Sequence, residues 1–424
     1  MNITKNGLIL GAAALTAGSV AITGFGLHYS QTQAFVQQSP KEIVDEVWQV
    51  INSRYVDATF NGQDWRSIRN EYLEREYANE EEAYEAVREM LKTLDDPYTR
   101  FMNPEEFRSM QIDTSGELTG VGIQITKEEE TDNIVVVAPI EDTPASDAGL
   151  MAKDIITKID GQSTEGMELN DAVNLIRGVP GSNVVLTIQR DSREIDFDLT
   201  RAKIEIKPVR ARIEEDPNIG KVAYIRLVQF SNNASAEMRN AIAQAESENV
   251  NGYILDLRSN PGGLLYSSVE ISRMFIDQGG IVTTVDRVGE VDSHQANGRA
   301  LTDKPLVVLV DGGSASASEI VSGALQDNER ATIVGTQTFG KGLVQSVRGL
   351  SDGSGLAVTI SKYLTPDGRD INKEGITPDI VSELSEEEQE LLAGDRQKVG
   401  TLEDGQFKKA FETLRNQITK TAQN

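Results

Sequence analysis

The chain has 424 residues, a formal net charge of −26 and no cysteine. Thiol catalysis, disulfide staples and Cys-ligated zinc are therefore excluded, and so large an acidic excess without a basic stripe argues against nucleic acid and anionic lipid as partners. About 390 residues beyond the N-terminal segment are too many for one typical domain and predict two or three.

Residues 1–34 hold one lysine, no acid, and an apolar stretch from Gly7 to Leu27, with Thr32–Gln33–Ala34 before Phe35. This is the make-up of a secretory signal peptide, with an uncleaved membrane anchor as the alternative, and no other stretch is long enough to span a bilayer. An exported chain without disulfides suits the periplasm or the thylakoid lumen. Ser39–Pro40–Lys41–Glu42 starts a helix by cap, proline at the first position and glutamate at the third. Ile43, Val44, Val47, Trp48 and Ile51 form its apolar face. Further helices are predicted around Asp64–Glu76 and Glu80–Leu94, ended by Asp95–Asp96–Pro97. Together they make a small helical region over 35–115, with Trp48, Trp65, Tyr72 and Tyr84 as ordinary core.

From 116 to 203 the pattern turns to short strands. Gly120–Val121–Gly122–Ile123 opens a strand, Ser146–Leu150 ends a short helix at glycine, Glu168–Arg177 is helical, and Val184–Gln189 and Ile195–Thr200 alternate. This succession resembles a PDZ domain, with Gly120, Val121, Gly122 and Ile123 matching its carboxylate-binding loop. Amides exposed by glycines can cradle a terminal carboxylate while the peptide adds a strand at the sheet edge. A glycine-rich hairpin with no ligand is the alternative for the tetrapeptide alone.

From 204 to 384 strands and helices alternate: Val222–Leu227, Asn233–Glu248, Gly252–Leu257, Gly263–Ile276, Ile281–Val285. The predicted fold is multidomain α/β with a three-layer core of mostly parallel central strands. In Asp256–Leu264 a glycine pair after a buried strand frees amides to point into a cleft. Residues 385–424 predict helices in an acidic, solvated or loosely attached tail.

The most informative stretch is the apolar strand Leu306–Val310, the turn Asp311–Gly312–Gly313, and Ser314–Ala315–Ser316–Ala317–Ser318–Glu319–Ile320 opening a helix. A serine at a helix N-terminus has free N–H groups beside it for a developing oxyanion. The same residues also read as an S-x-x-E capping box, and Ser314 and Ser318 are expected to cost only what caps cost. A serine nucleophile needs a base. The chain offers two histidines, His28 and His294, and one unusual lysine, Lys341, set between glycines. A buried lysine held neutral can serve. Gly335 to Gly342 nearly matches a phosphate-binding loop, but Gly342 stands where a magnesium-binding Ser or Thr is required, and a strand pattern follows.

Ser-Ala-Ser-Ala-Ser-Glu-Ile and Thr-Phe-Gly-Lys-Gly-Leu-Val-Gln together resemble the carboxyl-terminal processing peptidases (tail-specific serine proteases). The resemblance implies that Ser316 is the nucleophile, Lys341 the base, and Gln345 the residue that orients it. It also implies that Gly262, with Gly263 as alternate, and Ala317 form the oxyanion hole. A regulatory arginine of the family falls on Arg177, and Asp96–Pro97–Tyr98–Thr99 resembles a turn common there. Val56–Trp65 resembles cyanobacterial members, one branch of which trims a photosystem II reaction-centre precursor. No metal or organic cofactor is implied, and the expected partners are proteins or peptides with free C-termini. The alternative is a PDZ-bearing adaptor whose peptidase site is inactive.

Overall fold

The computed structural model of the chain describes residues 39–421, except positions 116, 129–130, 141–142, 152, 191–192, 206 and 290. The segment read as a signal peptide, with His28, lies outside the described residues. No helix among the described residues is long and apolar enough to cross a membrane.

Three helices begin the described chain: α1 (Pro40–Arg54), α2 (Trp65–Glu74) and α3 (Glu80–Lys92). Asp64 and Asn79 cap the last two by accepting from the amides three residues on, whereas Ser39 makes no side-chain cap bond. Trp48 and Trp65 stack at 6.5 Å, and each indole N–H donates to the other's backbone carbonyl, which satisfies both polar ends inside the core. This core is not self-contained: Leu350, Leu356 and Val358 of the peptidase region complete it. The chain continues through β1 (Arg100–Met102) and α4 (Pro104–Ser115).

The PDZ-like region comprises β2 (Glu117–Gly120), β3 (Ile123–Lys127), β4 (Ile134–Pro139), α5 (Pro144–Asp147), β5 (Ile155–Ile159), β6 (Gln162–Ser163), α6 (Leu169–Ile176), β7 (Asn183–Arg190), β8 (Arg193–Thr200) and β9 (Ala202–Glu205). Strands β3-β4-β5-β7-β8 form an antiparallel sheet, and β2 pairs with β9 as a separate ribbon.

The rest comprises β10 (Val209–Asp216), β11 (Gly220–Leu227), α7 (Ala234–Ser247), β12 (Tyr253–Asp256), α8 (Leu265–Phe275), β13 (Gly280–Asp286), β14 (Val291–Gln295), β15 (Leu306–Val310), α9 (Ala317–Asp327), β16 (Thr332–Gly335), β17 (Leu343–Gly349), β18 (Gly355–Leu364), β19 (Ile380–Val381), α10 (Glu386–Gly394) and α11 (Gly405–Thr421). The central sheet runs β10-β11-β12-β15-β16-β19, parallel except for β10. Its strands alternate between two cores with period 2. Ala223, Ile225, Leu255, Val308 and Ile333 face α7, α8 and α9, while Tyr224, Ile254, Val307, Leu309 and Val334 face the other way.

That second face corrects the expectation of a loose C-terminal tail. Phe407, Ala410 and Leu414, at helical spacing on α11, are fully buried against it. Burying Phe407 and Leu414 stabilises by about 1.5–3 kcal/mol each, enough to dock a helix whatever its net charge. A second difference concerns β13, which leaves the parallel sheet to join an antiparallel one, β1-β18-β13-β14, with β17 also paired to β18.

Candidate active site

Strand β15 is buried at every position and delivers the chain to α9 through the turn 311–315. Ser316 stands at the helix N-cap with φ 53° and ψ −109°. A non-glycine residue in that region carries strain of about 1–3 kcal/mol, which only an over-determined surrounding can hold. Two neighbours supply it. The buried Ser314 hydroxyl donates to Leu257 O (2.8 Å) and the buried Ser318 hydroxyl to Asn260 O (2.9 Å). These two serines are therefore not helix caps, as their sequence suggested, but bolts between the elbow and the loop after β12. Ser316 and Glu319 stand in the capping-box arrangement that S-x-x-E predicts, with the Glu319 carboxylate accepting the Ser316 N–H, but the Ser316 hydroxyl is only part-buried and makes no well-formed cap hydrogen bond. Its hydroxyl is left uncommitted.

Glu319, in the first turn of α9, is fully buried, and its carboxylate collects four donors. Ser316 N–H (2.8 Å) and Lys341 N–H (2.9 Å) reach Oε2; Gly340 N–H (2.7 Å) and Thr338 Oγ1 (2.6 Å) reach Oε1. One side chain thus ties the serine elbow to the lysine loop. Tyr363 on β18 adds a second tie, its buried hydroxyl lying 3.1 Å from Ser316 O and 2.5 Å from Lys341 O. Neither residue was singled out from sequence for this work. Glu319 had a signal, the S-x-x-E spacing, but it reads as a cap; Tyr363 had none.

Lys341 follows Gly340, whose φ of +87° and close packing against the 373–375 backbone leave no room for a side chain. Burial holds the Lys341 amine below its ordinary value, and the Arg100 charge pushes the same way, against Asp96 and Glu319, which favour the ammonium. Nζ lies over the Tyr98 ring, 4.8 Å from its centroid. No hydrogen bond joins it to Ser316 Oγ among the described residues. Gln345 pairs with Thr359 across β17–β18, just after a register shift between Val344 and Gln345, and its Nε2 is buried without a hydrogen-bond partner. The bend falls at that shift, two residues beyond Gly342.

The glycine loop meets the elbow directly. A Cβ on Gly262 (φ +101°) would lie 2.7 Å from Ala315 O, 2.9 Å from Ala317 N and 3.0 Å from Ser316 Cβ. The Gly262 amide itself already donates to Asn260 Oδ1 (2.9 Å). Gly263 N–H and Ala317 N–H make no hydrogen bond among the described residues, so the alternate glycine is the one with a free donor. Below this loop Arg258 is buried between Asp256 and Asp404, bonded twice to each side chain, and also to Gln406. His294 lies on edge strand β14, and its side chain faces Asp292 at 3.9 Å.

In the PDZ-like region, Val121 O accepts from Ala145 N–H and Gly122 O from Ile140 N–H. Because each peptide is planar and trans, the Gly122 and Ile123 N–H groups point away from those contacts. They line a cavity of about 160 Å³ together with Gly120, Val173 and Arg177. Arg177 also donates to Ser109 Oγ of α4 (3.3 Å). A cavity of about 580 Å³ between Asp303, Arg330, Asp379 and Gln417 includes none of these residues in its lining.

Comparison with known proteins meets this geometry from outside. The profile of peptidase family S41 matches residues 221–382, a PDZ domain profile matches 135–190, and a tricorn protease C1 domain profile matches 37–92. A carboxyl-terminal-processing protease of Synechocystis sp. is 47% identical over 352 residues, covering 82% of this chain and 82% of that protein. The chloroplastic carboxyl-terminal-processing peptidase 2 of Arabidopsis thaliana is 43% identical, covering 79% of this chain and 67% of that one. Among solved structures, a photosystem II D1 C-terminal processing protease is 38% identical with a TM-score of 0.56, covering 82% of this chain and 94% of that one. On this likeness across its length, the chain belongs to peptidase family S41 and is a serine-type carboxyl-terminal-processing protease.

Proposed function

We propose that Ser316 and Lys341 are the nucleophile and general base, that Gln345 orients the lysine, and that the Ala317 amide with the 262–263 loop binds the oxyanion. One observation carries the reading: Ser316, strained at φ 53° at the head of α9, is tied through Glu319 to the Lys341 backbone. Ser316 Oγ attacks the scissile carbonyl as the neutral Lys341 amine takes its proton. The tetrahedral oxyanion meets the Ala317 N–H and a glycine N–H, with Gly263 favoured because the Gly262 amide is engaged. Collapse passes the proton from the ammonium to the leaving amine, and water then hydrolyses the acyl-enzyme with Lys341 again as base.

The substrate is read by its free C-terminus. A terminal carboxylate in the Gly120–Ile123 loop accepts charge-assisted hydrogen bonds from the turned-out amides, and its last side chain enters the adjoining apolar cavity. Arg177 is the regulatory residue, because it links that cavity to α4. Phe107 of α4 in turn fills the space over Gly349 and Gly355 in the β17–β18 hairpin that carries Gln345. The name of the solved relative extends the reading to a precursor of the photosystem II D1 type, and the N-terminal segment read as a signal peptide sets its processing in the thylakoid lumen or periplasm. The test is kcat/KM for one peptide with a free, apolar C-terminus and for its amide. The acid is cut faster; equal rates would mean that the loop does not read the terminus.

A further inference from the structure

Tyr98 belongs to the turn that follows α3, and nothing in the mechanism above uses it. The turn is rigidly built. Asp96 Oδ1 accepts from Tyr98 N–H (2.9 Å), and Asp96 Oδ2 from the Thr99 hydroxyl (2.7 Å). Thr99 Oγ1, buried, accepts from Thr359 N–H (3.0 Å), and Thr359 is the residue opposite Gln345 on β18. The N-terminal helical region is thereby bolted to the register position of the residue read as orienting the base. Its aromatic ring lies under the base itself, with Lys341 Nζ 4.8 Å from the centroid.

We propose that Tyr98 is a positioning residue for the general base: its ring face seats the Lys341 ammonium in the resting enzyme, and the amine leaves that face to act on Ser316. The proposal rests on Lys341 being the base. A ring quadrupole attracts a cation and has little hold on a neutral amine, so the seat selects the protonated form. Deprotonation to solvent releases it. Gln345 Nε2 is buried without a hydrogen-bond partner, and the proposal assigns this amide to the working position of the amine. A half-turn of that amide presents Oε1 to a Lys341 N–H, leaving the amine lone pair for the Ser316 proton. The other charges facing Nζ are Arg100 on β1, which opposes the ammonium, and Asp96 and Glu319, which favour it. The Tyr363 hydroxyl meets the Ser316 and Lys341 carbonyls rather than Nζ.

The experiment is the pH profile of kcat/KM for the full-length protein on a peptide with a free, apolar C-terminus, for Tyr98→Leu, Tyr98→Phe, Tyr98→Trp and Lys341→Ala. Leucine keeps the apolar bulk and removes the quadrupole. It moves the acid limb to lower pH by roughly 0.4–1 unit, the worth of a cation–π contact expressed as a pKa. Phenylalanine holds the limb near its wild-type position, and tryptophan, with the stronger face, moves it up. A limb that stays in place for leucine, or shifts equally for leucine and phenylalanine, overturns the proposal. If the leucine variant does not fold, the order of tryptophan above phenylalanine decides, and its absence overturns the proposal equally. Turnover surviving in Lys341→Ala would remove the base reading, whereas a dead Lys341→Ala with unmoved limbs would remove only the role of Tyr98.

Discussion

Gly262→Ala isolates what the close approach of the glycine loop contributes to catalysis. The added Cβ would lie 2.7 Å from Ala315 O, 2.9 Å from Ala317 N and 3.0 Å from Ser316 Cβ, all of them elbow atoms. Ordinary contact between such atoms is about 3.5 Å, so the loop and the elbow must separate by most of an ångström. Misplacement on that scale costs about 10²-fold in rate, and loss of one oxyanion donor about 10²–10³-fold. The positive φ adds strain of about 1–3 kcal/mol, which appears as lost stability. Gly353→Ala supplies the control, with a similar φ of +88° in the β17–β18 turn and nothing within 4 Å of its Cβ. Both variants are expected to lose stability in urea unfolding from the positive φ, Gly262→Ala the more because its Cβ also clashes, and only Gly262→Ala to lose kcat by about 10²-fold or more. A Gly262→Ala enzyme with near-normal kcat and the same stability loss as Gly353→Ala would refute the approach of that loop to the reacting atoms.

Glu319→Gln keeps the shape but leaves one oxygen for donors that now share two, so kcat should fall together with thermal stability, each lost charged hydrogen bond being worth about 1.5–3 kcal/mol. Asp404→Asn leaves Arg258 paired with Asp256 but turns one Asp404 acceptor into a donor facing the guanidinium, and should cost about 1.5–3 kcal/mol in urea unfolding. Because burial lowers the Lys341 pKa, kcat/KM should rise with pH through a value below the ordinary lysine range and then level off, since only the neutral amine accepts a proton; a profile flat across that range would contradict it. Ser318→Ala should destabilise by about 0.5–1.5 kcal/mol, the net worth of one hydrogen bond, since Asn260 O keeps the Ala315 N–H, while retaining turnover. His294→Ala should change neither rate nor stability appreciably, given its place on the edge strand.

Much of this was legible in the sequence because it is local. The apolar run Leu306–Val310, the Pro40 and Glu42 signals of the first helix and the serine and lysine motifs each occupy a few consecutive residues. What escaped is built from distant partners. Arg258 meets Asp404 across 146 residues, and no pattern within either segment announces the other. Tyr363 looks like any buried strand tyrosine until its hydroxyl is found between two carbonyls. The tail was misread for another reason: acidity over 382–390 outweighed the apolar spacing of Phe407, Ala410 and Leu414, although burial of that stripe governs docking. The capping box at Ser316–Glu319 is present as its spacing predicts, but spacing is blind to the φ of 53° that sets this N-cap apart.

The most direct measurement of the central claim is kcat/KM for Ser316→Ala, Lys341→Ala and the double variant, each checked for an unchanged melting temperature. Residues that act as one unit are not additive, so each single variant should be as inactive as the double. A Lys341→Ala enzyme that still turns over, beside a His294→Ala enzyme that does not, would contradict the serine–lysine site.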